Sequence, residues 1–349
     1  MSKVHNFSAG PAILPQVALQ AGVEAIQNFK GTGLSILEVS HRSKEFIEVM
    51  EEARYLVKKL WSLPENYEVL YLQGGASMQF LSTAYNLLKT KAAYIDTGMW
   101  SSKSIKEAKL IGEVDVIASS KDKNYMYIPK DYHVPKDADY LYFTSNNTIF
   151  GSQYHQFPKS SIPMVCDMSS DVFSREIDAT KFGLIFAGAQ KNLGPAGVTL
   201  VAVDTNLLGK TGRNIPSMLD YQVHIDKESM FNTPPAFGVY VVLETLKWIE
   251  AKGIDQLEIQ NRAKAELLYK EIDTNPRFVN NVAKEDRSMM NATFLLTDES
   301  ETEAFMAACK EAKISGIKGH RSVGGFRASM YNAMEIDSVE ALVNVMQTF

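Results

Sequence analysis

Phe182-Gly183-Leu184-Ile185-Phe186-Ala187-Gly188-Ala189-Gln190-Lys191-Asn192-Leu193-Gly194-Pro195-Ala196-Gly197 runs an apolar strand straight into a lysine set among small residues. At a strand end, with glycine and alanine leaving room for a ligand, the Lys191 amine is partly desolvated and can lose its proton near neutral pH. A neutral amine attacks carbonyl groups. The competing reading is a solvated surface charge, which is what most lysines are. A second apolar stretch, Ile162-Pro163-Met164-Val165-Cys166, ends at Asp167 and is followed by Ser169 and Ser170. In an open α/β sheet ligands bind beyond the carboxyl ends of the strands, so two neighbouring ends can present Asp167 and Lys191 to one molecule. Asp167 alone reads equally well as a helix N-cap or a turn former.

The carbonyl reagent most often recruited by such a lysine is pyridoxal phosphate. A carboxylate against its ring nitrogen keeps the ring protonated and electron-withdrawing, which gives Asp167 a role beside Lys191.

The whole chain limits the alternatives. Its 349 residues, 45% hydrophobic and 22% charged, suit two globular domains around a sizeable core. A net charge of −5 without a long basic run lacks the electrostatic footprint for nucleic acid or an anionic membrane. Cys166 and Cys309, the two cysteines, lie in apolar patterns outside any C-x-x-C spacing, which fits a reducing compartment. With neither a signal-like start nor a membrane-length apolar run, the expected location is the cytoplasm.

Helical and extended patterns alternate, which favours an α/β fold with a mainly parallel sheet layered by helices. Pro15 opens a first helix whose apolar positions include Val17, Ala21, Ala25 and Phe29, and Gly31 stops it. Ser43 caps a second, whose inward face carries Phe46, Ile47, Met50, Ala53, Val57 and Leu60. Short apolar runs mark strands at 69–72, 93–96, 114–118, 140–143, 164–167, 184–187 and 198–203. After Pro234-Pro235 a long helix ends near Gly253 and another runs on from Ile254. The Asn275-Pro276 break and the run 290–296 then suggest a smaller α+β unit. The expected division is 1–15 as an N-terminal segment, 16–260 as a large domain and 261–349 as a small domain.

Several further groups carry chemistry. Gln73-Gly74-Gly75-Ala76-Ser77 lies between a strand and a helix, where free N–H groups around Ala76 and Ser77 favour an anion; a plain tight turn is the rival. Trp100 follows another strand end and either stacks on a flat ring or packs in the core. The Thr148 hydroxyl, past a further strand, either reaches a ring oxygen or sits in a simple turn. His41-Arg42 and the stretch from His320-Arg321 to Arg327 either grip anions or form surface ion pairs. Neither histidine stands at a metal-ligand spacing, so no metal is expected.

Taken together, Phe7-Ser8-Ala9-Gly10-Pro11-Ala12, Ser40-His41-Arg42-Ser43, Gly98-Met99-Trp100-Ser101, Asp167-Met168-Ser169-Ser170, Gly188-Ala189-Gln190-Lys191-Asn192 and the run from Gly319 to Ser329 resemble the phosphoserine aminotransferase family. The motifs span essentially the whole chain. The resemblance implies a fold-type I, class V pyridoxal-phosphate enzyme in which Lys191 binds the cofactor aldehyde and Asp167 the pyridine nitrogen. It implies that Trp100 stacks on the ring, that Thr148 and Gln190 hold its hydroxyl side, and that Ala76 and Ser77 bind its phosphate. Asn232 and Thr233 match residues that reach that phosphate from the other subunit of a homodimer. His41, Arg42, His320 and Arg321 are placed near the substrate phosphate or side-chain carboxylate, and Arg327 at the α-carboxylate. Some members carry an arginine where this chain has Ser77. The implied reaction moves an amino group between glutamate and 3-phosphohydroxypyruvate, on the route to serine and, in some bacteria, to vitamin B6. Other class V transaminases, cysteine desulfurases and a cofactor-free scaffold are the alternatives.

Overall fold

The computed structural model describes residues 3–349; Met1 and Ser2, which begin the expected N-terminal segment, lie outside the described residues. Each of the seven expected apolar runs is a strand of one sheet: β1 (Tyr67–Leu72), β2 (Lys91–Asp96), β3 (Glu113–Ser119), β4 (Leu141–Thr144), β5 (Met164–Asp167), β6 (Phe182–Gly188) and β7 (Thr199–Asp204). The spatial order is β1-β7-β6-β5-β4-β2-β3. All neighbours are parallel except β7, which runs against both β1 and β6, with Thr199 opposite Leu72 on one side and Gly188 on the other.

Both faces of the sheet are covered, which is why its central strands are apolar without alternation. Ile185 and Ala187 point into one core with Phe46, Met50 and Leu246, whereas Leu184 and Phe186 point into the other with Phe80 and Tyr221. The first face is layered by α1 (Gln16–Gln27), α2 (Lys44–Leu60) and α6 (Ala236–Lys252). The second is layered by α3 (Gly75–Leu87), α4 (Met99–Ala108) and the short α5 (Tyr221–Asp226). Ser43 caps α2 by accepting from the Phe46 N–H at 3.3 Å.

The first helix departs from the expectation. It ends at Gln27, Phe29 belongs to a following turn of 3-10 helix, and Val17 is 54% exposed. The buried face is instead Ala18, Gly22 and Ala25. Small residues let the helix approach α6, where a β-carbon on Gly22 would stand 3.4 Å from Phe237.

A third core gathers Phe7 with Ala265, Leu268, Phe294, Phe326 and Leu342. Its sheet is antiparallel, from β8 (Phe278–Val279), β9 (Asn291–Leu296) and β10 (Phe326–Ser329), and is packed by α7 (Ile254–Thr274), α8 (Thr302–Glu311) and α9 (Ile336–Thr348). Along α7, Leu257 belongs to the first core and Ala265 to the third. His5–Asn6 pairs in parallel with Ile314–Ser315, which fastens the N-terminal segment to this second unit. Among the described residues no helix is long and apolar enough to cross a membrane.

Candidate active site

Adjacent parallel strands β5 and β6 deliver Asp167 and Lys191 to the same edge of the sheet. Lys191 is buried, and its Nζ donates to Thr148 Oγ1 at 2.7 Å. Burial lowers its pKa to about 8, opposed by the Asp167 charge and aided by the Arg327 charge. Asp167 is buried too, so desolvation pushes its carboxyl above the ordinary value, against the pull of Lys191 and of the Ser169 N–H that donates to Oδ1 at 2.9 Å. That bond makes Asp167 a turn former as well.

Thr148 sits at the tip of a small hairpin, where Asn146–Asn147 pairs with Ser152–Gln153. Trp100 lies in the first turn of α4, with its ring centroid 5.6 Å from Lys191 Nζ. That turn is braced from β2: Ser101 and Ser102 hydroxyls both donate to Asp96 Oδ1, at 2.9 and 2.8 Å. The ring is only partly packed against the core, and its Nε1 is buried without a partner. Gln190 is fixed through its carbonyl, which accepts from the Ala12 N–H at 3.0 Å. Gly10 passes so close that a β-carbon there would lie 3.2 Å from Lys191 Cγ.

The glycine turn before α3 supplies an anion cradle. Gly74 has φ +89° and gives no side-chain cap, so the first N–H groups of α3, including those of Ala76 and Ser77, have no intrahelical acceptor. Ser77 is exposed.

From the second unit, β10 brings Arg327, whose Nη1 donates to the Thr148 carbonyl at 3.4 Å while Nε is buried and unpartnered. His320 and Arg321 stand on the loop leading to it. The Ser322 N–H donates to His320 Nδ1 at 3.2 Å, so Nδ1 is an acceptor and the proton of the neutral ring is on Nε2. Burial and then the charges of Arg327, Arg321 and Lys103 lower the His320 pKa. Among the described residues none of Arg42, Arg321 and Arg327 forms an ion pair.

Not every expected residue joins this group. His41 lines a separate cavity of about 370 Å³ with Thr233, Pro234 and Pro235, and Arg42 beside it is exposed. Thr233 is tied to the chain before α3, its carbonyl accepting from Gln73 Nε2 at 2.8 Å, and Asn232 is half-buried next to it.

A model of the family "Aminotransferase class-V" matches residues 4–342. The chain belongs to the class-V aminotransferases. It is 60% identical over 349 residues to a phosphoserine aminotransferase of Flavobacterium johnsoniae, covering 99% of this chain and 98% of that one. Among solved structures, the phosphoserine aminotransferase of Bacillus circulans subsp. alkalophilus is 45% identical, with TM-score 0.96, over 99% of this chain and 98% of that one. A phosphoserine aminotransferase from Trichomonas vaginalis, described as PLP-bound, is 37% identical with TM-score 0.92, over 99% of this chain and all of the other.

In this class-V aminotransferase the chain's own groups fit a flat aldehyde with an anionic tail. They offer a lysine amine lowered to about 8, a buried carboxylate, an indole beside the amine and an uncapped helix start. One cation escaped the sequence reading. Lys103, one helical turn beyond Trp100, holds its Nζ 4.7 Å from the indole centroid and lies among the charges acting on His320. The i, i+3 spacing from Trp100 was the available signal.

Proposed function

We propose that this chain is a phosphoserine transaminase, with pyridoxal phosphate as its cofactor. It moves an amino group reversibly between L-glutamate and 3-phosphohydroxypyruvate, giving 2-oxoglutarate and O-phospho-L-serine. The observation that carries the reading is the desolvated Lys191 amine, bonded to Thr148 and shared in its surroundings by Asp167, Trp100 and Arg327. Full-length identity to relatives bearing that name supports the substrate choice.

In this reading Lys191 and Asp167 are catalytic. Ala76 and Ser77 hold the cofactor phosphate with Asn232 and Thr233, Trp100 covers one ring face, and Thr148 and Gln190 meet its hydroxyl side. Bound pyridoxal phosphate supplies an aldehyde and a ring that accepts the electron pair when the substrate Cα–H bond breaks. The Lys191 Nζ takes that proton and returns it, a role suited to an amine whose pKa burial has brought towards neutrality. Asp167 would face the ring nitrogen, where the Lys191 charge opposes the protonation that burial favours. Arg327 takes the α-carboxylate, while His41, Arg42, His320 and Arg321 take the phosphate or the side-chain carboxylate. Burial and the neighbouring positive charges hold the His320 pKa down, which favours its neutral ring.

The reading includes a homodimer in which Asn232 and Thr233 serve the neighbouring subunit's site. Its support is the exposed apolar side chains of α1 and the loop after it, among them Val17, Val23, Ile26, Leu34 and Leu37. The cores on the two sheet faces and the separate core around Phe294 support a large domain over 16–260 and a small one over 261–349, and the N-terminal segment, through His5–Asn6 and Ala12, lies near the small domain and the active site. Two free, buried cysteines fit a cytoplasmic location.

Purified protein should be yellow, and borohydride should fix the cofactor on the peptide holding Lys191. With glutamate as donor, 3-phosphohydroxypyruvate should be consumed much faster than hydroxypyruvate. Equal rates would remove the phosphate argument, and a colourless protein that gains no visible absorbance with pyridoxal phosphate would favour a scaffold.

A further inference from the structure

Behind the site lies a buried polar joint. Three consecutive carbonyls, those of Val172, Phe173 and Ser174, each accept a side-chain amide N–H from a different part of the chain: from Asn192 at 2.8 Å, Asn332 at 2.9 Å and Asn261 at 3.0 Å. Phe173 has φ +53°, a left-handed conformation that a bulky side chain adopts only where its surroundings over-determine it.

The asparagines also hold one another. The Asn332 backbone N–H donates to Asn192 Oδ1 at 2.8 Å, and Asn332 Oδ1 accepts from Asn261 Nδ2 at 2.8 Å. On the same helix as Asn261, Lys264 donates to the carbonyls of Met330, Tyr331 and Met334 at 3.1, 2.8 and 3.0 Å. An ammonium has three N–H donors, and these three acceptors use them all. All four side chains are at least nine-tenths buried.

The joint touches each arm of the site. Asn192 follows Lys191, the turn at 172–174 continues the segment that leaves Asp167, and Met330 continues the strand that carries Arg327. We propose that Asn332 and Lys264 are positioning residues that lock Lys191, Asp167 and Arg327 into one frame through this joint. The inference rests on the roles given to Lys191 and Arg327 under the proposed function. Apolar packing would hold the two units together without register, whereas each amide N–H here meets its acceptors at fixed geometry, with Asn261 Oδ1 the one amide oxygen of the three that has no partner among the described residues.

Three variants test it: Asn332→Ala on the Lys191 side, Lys264→Met on the Arg327 side, and Lys264→Arg as the conservative change. Asn332→Ala should shift the pH midpoint of the visible absorbance of the cofactor-loaded protein and lower kcat about tenfold, since a misplacement near 1 Å costs up to about a hundredfold. Lys264→Met should raise KM for glutamate by about tenfold, leave the absorbance midpoint in place, and be largely rescued in Lys264→Arg. Unchanged kcat, KM and midpoint, with only a lower thermal unfolding temperature, would reduce the joint to scaffolding and overturn the proposal.

A measurement on the unaltered protein guards against variants that do not fold. Loading pyridoxal phosphate should slow backbone amide exchange at 330–334 together with 190–194, because coupling through the joint is reciprocal. Slowing at 190–194 alone overturns the joint while leaving the functional reading intact; a wild-type protein that binds no cofactor overturns both.

Discussion

At Lys191 the competing influences have clear signs. Burial favours the neutral amine, Asp167 favours the ammonium, and Arg327 sides with burial. With a pKa of about 8, roughly a fifth of the amine is free at pH 7.4, against about one part in a thousand for a solvated lysine. Uptake of pyridoxal phosphate by the apoprotein should therefore accelerate as pH rises through about 8 and then level off, followed by visible absorbance. Asp167→Asn removes the charge that raises this pKa, so the midpoint should move to lower pH; movement upward would contradict the assignment of causes. The same depression makes the unfolded chain bind the extra proton between about 8 and 10.5, so this residue makes apoprotein stability rise with pH across that window.

Strand-end placement made Lys191 and Asp167 legible as a pair, since an apolar run ending in a charged residue marks both the element and its edge. The partners that shape them were not legible. Asn332 lies far along the chain from Asn192, and no local pattern announces a hydrogen bond closed by a fold. Trp100 and Thr148 each had two readings in sequence; the distances to Lys191 place both beside the amine.

Among the elements, strands proved easier to read than helix faces. Burial on both sides makes strands such as β4, β5 and β6 continuous apolar runs, whereas nothing in such a run says which way the strand points, so the reversed β7 was not foreseen. Helix α1 misled because its large side chains face outward and its small ones inward, against the size rule that periodicity relies on. The start of α3 offers a sharp test. A β-carbon at Gly74 would stand 2.5 Å from Met78 Cβ, in a left-handed conformation that itself costs about 1–2 kcal/mol. Gly74→Ala should distort the cradle and weaken pyridoxal phosphate binding by at least about tenfold, measured by equilibrium dialysis, while pyridoxal without the phosphate should lose much less.

For the whole molecule, the separation of His41 and Thr233 from the Lys191 group becomes a prediction about assembly. Lys191→Ala and an Asn232→Ala/Thr233→Ala double variant should each be nearly inactive alone. If subunits complete one another's sites, unfolding and refolding the two together should restore up to about a quarter of wild-type activity, because half of randomly paired dimers carry one intact site of two. No recovery, with dimers present by light scattering, would place both groups in the same chain's site.

The reversed β7 has one more effect. Thr199 stands between Leu72, which leads into the cradle, and Gly188, which leads to the amine, and so acts as a gauge block two strand spacings wide, roughly 10 Å. Only inserting or deleting a whole strand resets such a gauge, so with the cofactor contacts we propose its length is matched by the backbone. The loops at 41–42 and 320–327 lie outside that constraint, so with the substrate contacts we propose the choice of amino acceptor is free to drift there.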